Sequence, residues 1–594
     1  MSSPHAPILA GPKYRELYSA CSEGERHYYG VLTAMDEQVG RLRQGLRSLG
    51  AADNTMLWFC SDNGPERNDL ASARPEIVAS MRRTLGEFHN SCRNSDAGAS
   101  GTHRRARALP SAGSCDHTAA AARVMVVTSR REFIQSLPVS LVAPASTARK
   151  PNLLFVFSDQ HRACSMPGEP YNDAQAPNLA RLAREGLSFT NCISNYPVCS
   201  PYRAMLMTGR WPYQTGIIDN NLRLRDEEVS LGEVFARNGY RTGYIGKWHL
   251  SPDDEAGGFI REGPARQGFQ DWRVWSATNQ HFDHSFTFDP NTGRRIQPKG
   301  YNGTLMTDTA LEFIGNHRNE PWMLMLSWNP PHPIYEDAPP ERMKLYNPAA
   351  LALRPNVKAL PGGNAGAQAL RRTLQGYYAH ITALDAEMGR LLKRLDETGQ
   401  ADRTIVVYTS DHGDMLGSQG FGGKRLPYEE SCKTPFLVRY PGVTPAGRTA
   451  SLLFSALDVY PSLCGLAGLG VPSHCAGKDL SHAMRGHAGP APESVFLMHI
   501  AKDHASGGRR HPAPLFRGVR TGRYTYAVAE DGRWCLFDNQ EDPYQMHNLI
   551  DDPGCAGLTR SLDGLVLDWL KKAQDPFPYE QSRRMRSALL AERT

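Results

Sequence analysis

Three stretches of the chain are apolar without the alternation of a half-exposed strand. Residues 152–158 read Asn-Leu-Leu-Phe-Val-Phe-Ser and stop at Asp159, while residues 404–410 read Thr-Ile-Val-Val-Tyr-Thr-Ser and stop at Asp411. Residues 322–328 form a third run, from Trp322 to Trp328. Runs of this length without a polar face predict strands covered on both sides. Between them the period changes to that of a helix. Residues 177–186 begin with proline and end with glycine, and a second helical period covers 374–398. Strands alternating with helices predict an α/β fold, a sheet sandwiched by helices. Such sheets bind ligands beyond the carboxyl ends of their strands, where Asp159 and Asp411 stand.

Upstream of residue 150 the pattern fades. Residues 28–64 align without a gap to residues 377–413, from Tyr28-Tyr29 against Tyr377-Tyr378 to Ser61-Asp62-Asn63-Gly64 against Ser410-Asp411-His412-Gly413. Residues 1–87 are therefore expected to be a truncated internal repeat without catalytic function. Residues 88–124 hold Ser, Ala, Arg and Gly with no hydrophobic period and are expected to be a disordered linker. Residues 125–149 contain Ser129-Arg130-Arg131-Glu132-Phe133, a mildly apolar stretch and then small residues, which resembles a twin-arginine export signal. Translation from Met125 would put that signal at the N-terminus and the protein in the periplasm or outside the cell; otherwise it would be cytoplasmic.

Composition narrows the function without naming it. At 594 residues, 40% hydrophobic and 22% charged, the chain can bury a large core. A net charge of +6 with scattered basic residues argues against a nucleic-acid partner, and no apolar run is long enough for a transmembrane helix. Twelve cysteines show no Cys-x-x-Cys metal spacing. Cys464 and Cys475 read as free thiols or as a disulfide, according to compartment.

The chemistry converges on Cys199-Ser200-Pro201-Tyr202-Arg203, flanked by Asn195-Tyr196-Pro197 and by Ala204 through Arg210. This stretch resembles the signature of type I sulfatases, in the alkaline-phosphatase-like superfamily, where Cys-x-Pro-x-Arg marks a cysteine for oxidation to formylglycine. A second octet, Gly243-Tyr244-Ile245-Gly246-Lys247-Trp248-His249-Leu250, is similar to that family's second signature. The resemblance covers about residues 150–555. It implies a large mixed sheet between helices in a catalytic domain, 150–490, and a smaller antiparallel sheet in a C-terminal subdomain, 491–594.

By the same resemblance, Asp159, Gln160, Asp411, His412 and the modified Cys199 would hold one divalent cation. Calcium is the family's usual ion and suits hard oxygen ligands. Gln160 and His412 depart from the commoner acid and amide, and an imidazole ligand opens the site to Mn²⁺ or another softer ion. The resemblance gives Lys247 the sulfate and the formylglycine hydroxyl, and gives His249 the proton of the second hydroxyl. His332 would protonate the leaving oxygen, Lys424 would neutralise charge on the sulfuryl group, and Arg203 would hold the modified residue. The implied enzyme is a sulfatase acting on a sulfated small molecule or glycan, matured by a formylglycine-generating enzyme. The alternatives are a formylglycine-dependent phosphonate monoester or phosphodiester hydrolase, and a noncatalytic glycan-binding relative with Cys199 unmodified. Asn279-Gln280-His281-Phe282-Asp283-His284 reads as a surface loop or pocket wall, despite its metal-like spacing.

Overall fold

The computed structural model describes residues 150–594, except 253–258, 276–278, 283–286, 358–362, 502–512 and 586–594, together with a few isolated earlier positions. The expected repeat at 1–87, linker at 88–124 and signal segment at 125–149 thus lie outside the described residues, those few positions apart. Residues 147–594 form one compact unit.

The large sheet is assembled from β1 (Asn152–Ser158), β2 (Leu187–Ile193), β3 (Arg241–Lys247), β4 (Asp271–Trp275), β5 (Trp322–Trp328), β6 (Thr404–Ser410), β7 (Phe436–Arg439) and β8 (Arg448–Ser455). With the two-residue strand Lys433–Thr434 beside β2 it has nine strands, in the order β8-β2-β7-β6-β1-β5-β3-β4. β4, β3, β5, β1 and β6 run parallel, and β7 is inserted antiparallel between β6 and β2. The sheet is therefore mixed. The three uninterrupted apolar runs are β1, β5 and β6, the contiguous centre, and every residue in them is buried. Central placement explains why they carry no polar alternation.

Helices cover both faces. Leu154, Val156, Leu324 and Val406 pack under α1 (Pro177–Glu185), α4 (Asn302–Asn316) and α5 (Asn364–Glu397). Leu153, Phe155, Met323 and Val407 face α2 (Cys199–Thr208), α3 (Leu231–Arg237) and α6 (Ala456–Ala467). α5 starts ten residues before the helical period expected over 374–398. Its first turns are largely exposed and carry little apolar stripe, but once a helix has nucleated its extension costs little. There Arg371 and Gln375 donate to the carbonyls of Leu351, Met343 and Tyr346, tying down an irregular segment.

The smaller antiparallel sheet is also present: β9 (Ser494–His499), β10 (Phe516–Thr521), β11 (Tyr524–Ala529) and β12 (Gly532–Asp538), in sequential order. Its inner face, with Val495, Leu497, Phe516 and Ala527, packs on Ile193, Met415, Leu426 and Tyr428. It thus buttresses the loop that follows β6. Cys464 and Cys475 are free thiols, and no described helix is long and apolar enough to cross a membrane.

Candidate active site

The register of the central strands builds the site. Ser158 of β1 lies opposite Ser410 of β6, so Asp159 and Asp411 emerge side by side at the carboxyl end of the sheet. On the other flank Gly246 of β3 pairs with Ser327 of β5. A Cβ at Gly246 would fall 2.0 Å from the Ser327 carbonyl oxygen, so only glycine lets the strands meet there and deliver Lys247. Opposite the strand ends stands α2, all ten of whose residues are buried, with Cys199 as its first residue. A helix amino end presents unpaired N–H groups and partial positive charge to whatever Cys199 carries.

Around the Cys199 sulfur lie His412 Nε2 at 3.2 Å, Lys424 Nζ at 3.2 Å and Asp159 Oδ1 at 3.6 Å. His249 and His332 face the same thiol. Arg203, one turn along α2, bridges both acids from one nitrogen, Nη2, at 3.1 Å to Asp159 Oδ2 and 3.1 Å to Asp411 Oδ2. Its Nη1 donates to the Lys247 carbonyl and to Ser327 Oγ, so the guanidinium locks α2 to the ends of β3 and β5. Lys247 Nζ sits 2.7 Å from Asp159 Oδ2. Ser200 Oγ donates to the His249 carbonyl at 2.5 Å, pinning the loop after β3 to the start of α2. Gln160 and His249 both occupy the left-handed region, at φ 75° and 54°, where non-glycine residues concentrate at functional sites.

Burial and charge then set protonation. Burial alone would raise the Cys199 thiol, but the Lys424 and Lys247 ammoniums and His412 pull it well below the ordinary cysteine value. Burial opposes charge on Lys424, yet Cys199, Asp159 and Asp411 raise it, keeping it cationic. Burial, with Lys424 and Lys247 beside it, lowers His332, and burial lowers His249. Burial and the neighbouring Asp159 push Asp411 up to about 6. Asp159 goes the opposite way: Lys247, His332 and Lys424 outweigh burial and hold it ionised.

Every residue singled out in the sequence as a site candidate is at this one place. Arg203 differs in detail from the expectation. It reaches the two carboxylates and Ser327, and so fixes the acids that surround Cys199 rather than the sulfur itself.

Three supports stand behind these residues, two of them unread in the sequence and one in the loop read as surface or pocket wall. His281 is fully buried, with Nε2 2.7 Å from the His332 carbonyl oxygen, so this part of the 279–284 loop is interior wall and not surface. His284 lies outside the described residues. Asp414 and Tyr335 bracket the Gln160 amide. Only the spacing of Asp414, three residues after Asp411 in a loop reading Asp-His-Gly-Asp, hinted at a role.

The donor set suits a divalent cation. Ligand atoms of Asp159, Cys199, Asp411 and His412 lie within 4.8 Å of one another, all buried. His412 Nδ1 is 3.0 Å from the Gly413 carbonyl oxygen, which can only accept, so Nδ1 carries a proton and Nε2 faces the carboxylates, where a cation would displace the proton that Asp411 and Cys199 favour on this ring. Asp411 Oδ1 receives the peptide N–H groups of Gln160 and His412, which fixes the carboxylate plane. Two carboxylates and an imidazole, each held from behind, form a preorganised binding set.

Comparison with known proteins bears on the same residues. The family model described as Sulfatase matches residues 1–106 and 151–469, and that of the N-sulphoglucosamine sulphohydrolase C-terminal region matches 417–572. An ulvan-active sulfatase of Formosa agariphila is 34% identical over 446 residues, covering 74% of this chain and 84% of that one. An endo-4-O-sulfatase of Bacteroides thetaiotaomicron is 31% identical over 495 residues, covering 74% and 95%. A solved structure from a B. thetaiotaomicron locus for metabolism of multiple glycosaminoglycans superposes with a TM-score of 0.65 at 28% identity, covering 75% and 99%. The mixed sheet, its small antiparallel companion and the matches spanning both place this chain in the sulfatase family, as a sulfuric ester hydrolase of alkaline-phosphatase-like fold.

Proposed function

We propose that this enzyme removes sulfate from a sulfated glycan, using Cys199 after its oxidation to formylglycine and one divalent cation held by Asp159, Gln160, Asp411 and His412. The carrying observation is the position of the Cys199 sulfur, at a helix amino end within 3.2 Å of both Lys424 Nζ and His412 Nε2. The glycan reading draws on relatives named for ulvan and for endo-4-O-sulfate hydrolysis. In this reading the hydrated aldehyde would supply one hydroxyl to attack sulfur as the sulfur–alcohol oxygen bond breaks and a second whose ionisation would release sulfate, and the cation would polarise the sulfate oxygens.

The chain's own residues do the rest. Lys247 and Lys424 flank position 199 and neutralise charge on the sulfuryl oxygens. Arg203 holds Asp159 and Asp411 in place. His249, kept neutral by burial, accepts the proton of the second hydroxyl. His332, with Nδ1 2.9 Å from the Pro333 carbonyl oxygen, keeps Nε2 for the departing alcohol. Residues 1–87 carry no Cys-x-Pro-x-Arg and supply no nucleophile. Export through the 125–149 segment would allow Cys199 to be oxidised in the cytoplasm first.

The test is a desulfation screen on defined sulfated oligosaccharides and on sulfate and phosphonate esters of one alcohol, with Ca²⁺ and Mn²⁺ compared. Turnover of a sulfated sugar above the phosphonate ester supports the reading. Preference for the phosphonate ester replaces it with a phosphonate hydrolase on the same scaffold.

A further inference from the structure

In the metal reading proposed above Gln160 would face the cation as a neutral amide, and an amide serves a cation only through its oxygen. The side chain can rotate by half a turn and present nitrogen instead, so something must choose. Its surroundings make the choice. On one side Nε2 donates to the Asp414 carboxylate and to Tyr335 Oη, the latter at 3.2 Å. On the other, Oε1 accepts from Lys424 Nζ at 2.7 Å, and that ammonium touches the Cys199 sulfur. A carboxylate only accepts and an ammonium only donates. Rotating the amide would set oxygen against carboxylate and NH₂ against ammonium, two repulsive contacts in place of two attractive ones.

Asp414 is itself immobilised. It is 1% exposed, its Oδ1 receives the peptide N–H groups of Leu416 at 2.8 Å and Gly423 at 3.1 Å, and its Oδ2 receives the Tyr335 hydroxyl as well as the amide. The Gln160 backbone is fixed too: its N–H donates to Asp411 Oδ1 at 3.0 Å and its carbonyl accepts from Tyr377 Oη at 2.8 Å. Of this residue only the amide orientation is left for Asp414 to decide.

We infer that Asp414, seconded by Tyr335, is the positioning residue that makes Gln160 an oxygen ligand and keeps Lys424 on that same oxygen. The inference rests on the metal reading proposed above and goes past it, because Asp414 belongs to none of the expected ligands. A carboxylate absent from position 160 is in effect supplied one residue layer out, where it orients the ligand instead of touching the cation.

The experiment measures cation affinity directly, by calorimetric titration of Mn²⁺ and of Ca²⁺ into chelator-stripped enzyme, with variants matched for conversion of Cys199. Asp414→Asn lets the new amide donate to Gln160 Oε1 and turn nitrogen toward the cation, so affinity should fall on the order of 10–100-fold. Adding Gln160→Glu to Asp414→Asn should restore most of the loss, since a carboxylate offers oxygen in either orientation. Tyr335→Phe, which removes the hydroxyl that accepts from Gln160 Nε2 and donates to Asp414, should cost a smaller factor. It serves as the deciding variant should Asp414→Asn lose its near-ultraviolet dichroism and so its packing. Unchanged affinity in the folded Asp414→Asn enzyme, a loss that Gln160→Glu fails to restore, or, in the deciding case, no loss in Tyr335→Phe would each overturn the inference. Wild-type enzyme that binds neither ion would instead overturn the metal reading on which it stands.

Discussion

The ends of β1 and β6 carry nearly the same sequence, Ser158-Asp159-Gln160 and Ser410-Asp411-His412, yet they are opposite in charge environment. Asp159 meets cations: Lys247 at 2.7 Å and Arg203 at 3.1 Å, with Lys424 and His332 also near. Asp411 meets main-chain N–H groups and forms its described Arg or Lys ion pair with Arg203, and burial together with Asp159 raises it to about 6. The same strand design therefore yields one acid held ionised by side-chain charge and another held in place by backbone dipoles. Position in the sheet makes the difference. β1 is flanked by β5 and next to it β3, which ends in Lys247, whereas β6 is flanked by β7, which runs the other way and ends in no side chain of the site.

The largest effect should come from removing the group the two ends share. Arg203→Met leaves both buried carboxylates without their common partner and should cost about 3–5 kcal/mol of stability in chelator-stripped enzyme, read from urea unfolding. A loss under about 1 kcal/mol, the size of an exposed ion pair, would mean that the acids do not depend on Arg203.

A smaller and more discriminating effect separates the ends. In the cation-free enzyme Asp159→Asn strands Lys247 and should destabilise, whereas Asp411→Asn keeps an oxygen for both peptide N–H groups and should cost less. The pH dependence carries the same distinction. The folded value of Asp411, about 6, lies above the ordinary aspartate value of 3.8, so between those values the folded chain holds a proton that the unfolded chain lacks. Its contribution to stability therefore rises as pH falls through 6 toward 3.8, by about 1 kcal/mol per pH unit. Asp411→Asn should abolish that rise and Asp159→Asn should reduce it, by removing the charge that lifts Asp411. Equal pH profiles for all three proteins would erase the comparison.

How much of this was legible in the sequence follows from where each signal lives. β1, β5 and β6 could be read because a central strand needs no polar alternation, and Asp159 and Asp411 because a carboxylate ends such a run. Cys199, Arg203, Lys247 and His249 lie in short, dense motifs within one helix and one strand end. The early start of α5 could not be read, since an exposed helical turn has no hydrophobic period. His281 was left between surface loop and pocket wall by its polar neighbours, of which Asn279 and Gln280 are exposed and Asp283 and His284 lie outside the described residues. Asp414 and Tyr335 were missed for a more general reason. They meet Gln160 across 254 and 175 residues of chain, and a contact that long leaves no local spacing that names the partner.

The central claim is that Cys199 works as formylglycine at the meeting point of these two strand ends. Mass measurement of the peptide containing Cys199, from enzyme expressed with a formylglycine-generating enzyme, tests it most directly when paired with turnover. The account predicts the lighter aldehyde form, reactive toward a hydrazide probe, with sulfate release in proportion to its abundance, and no multiple turnover in Cys199→Ser. Full activity from a preparation in which Cys199 remains a thiol would contradict it.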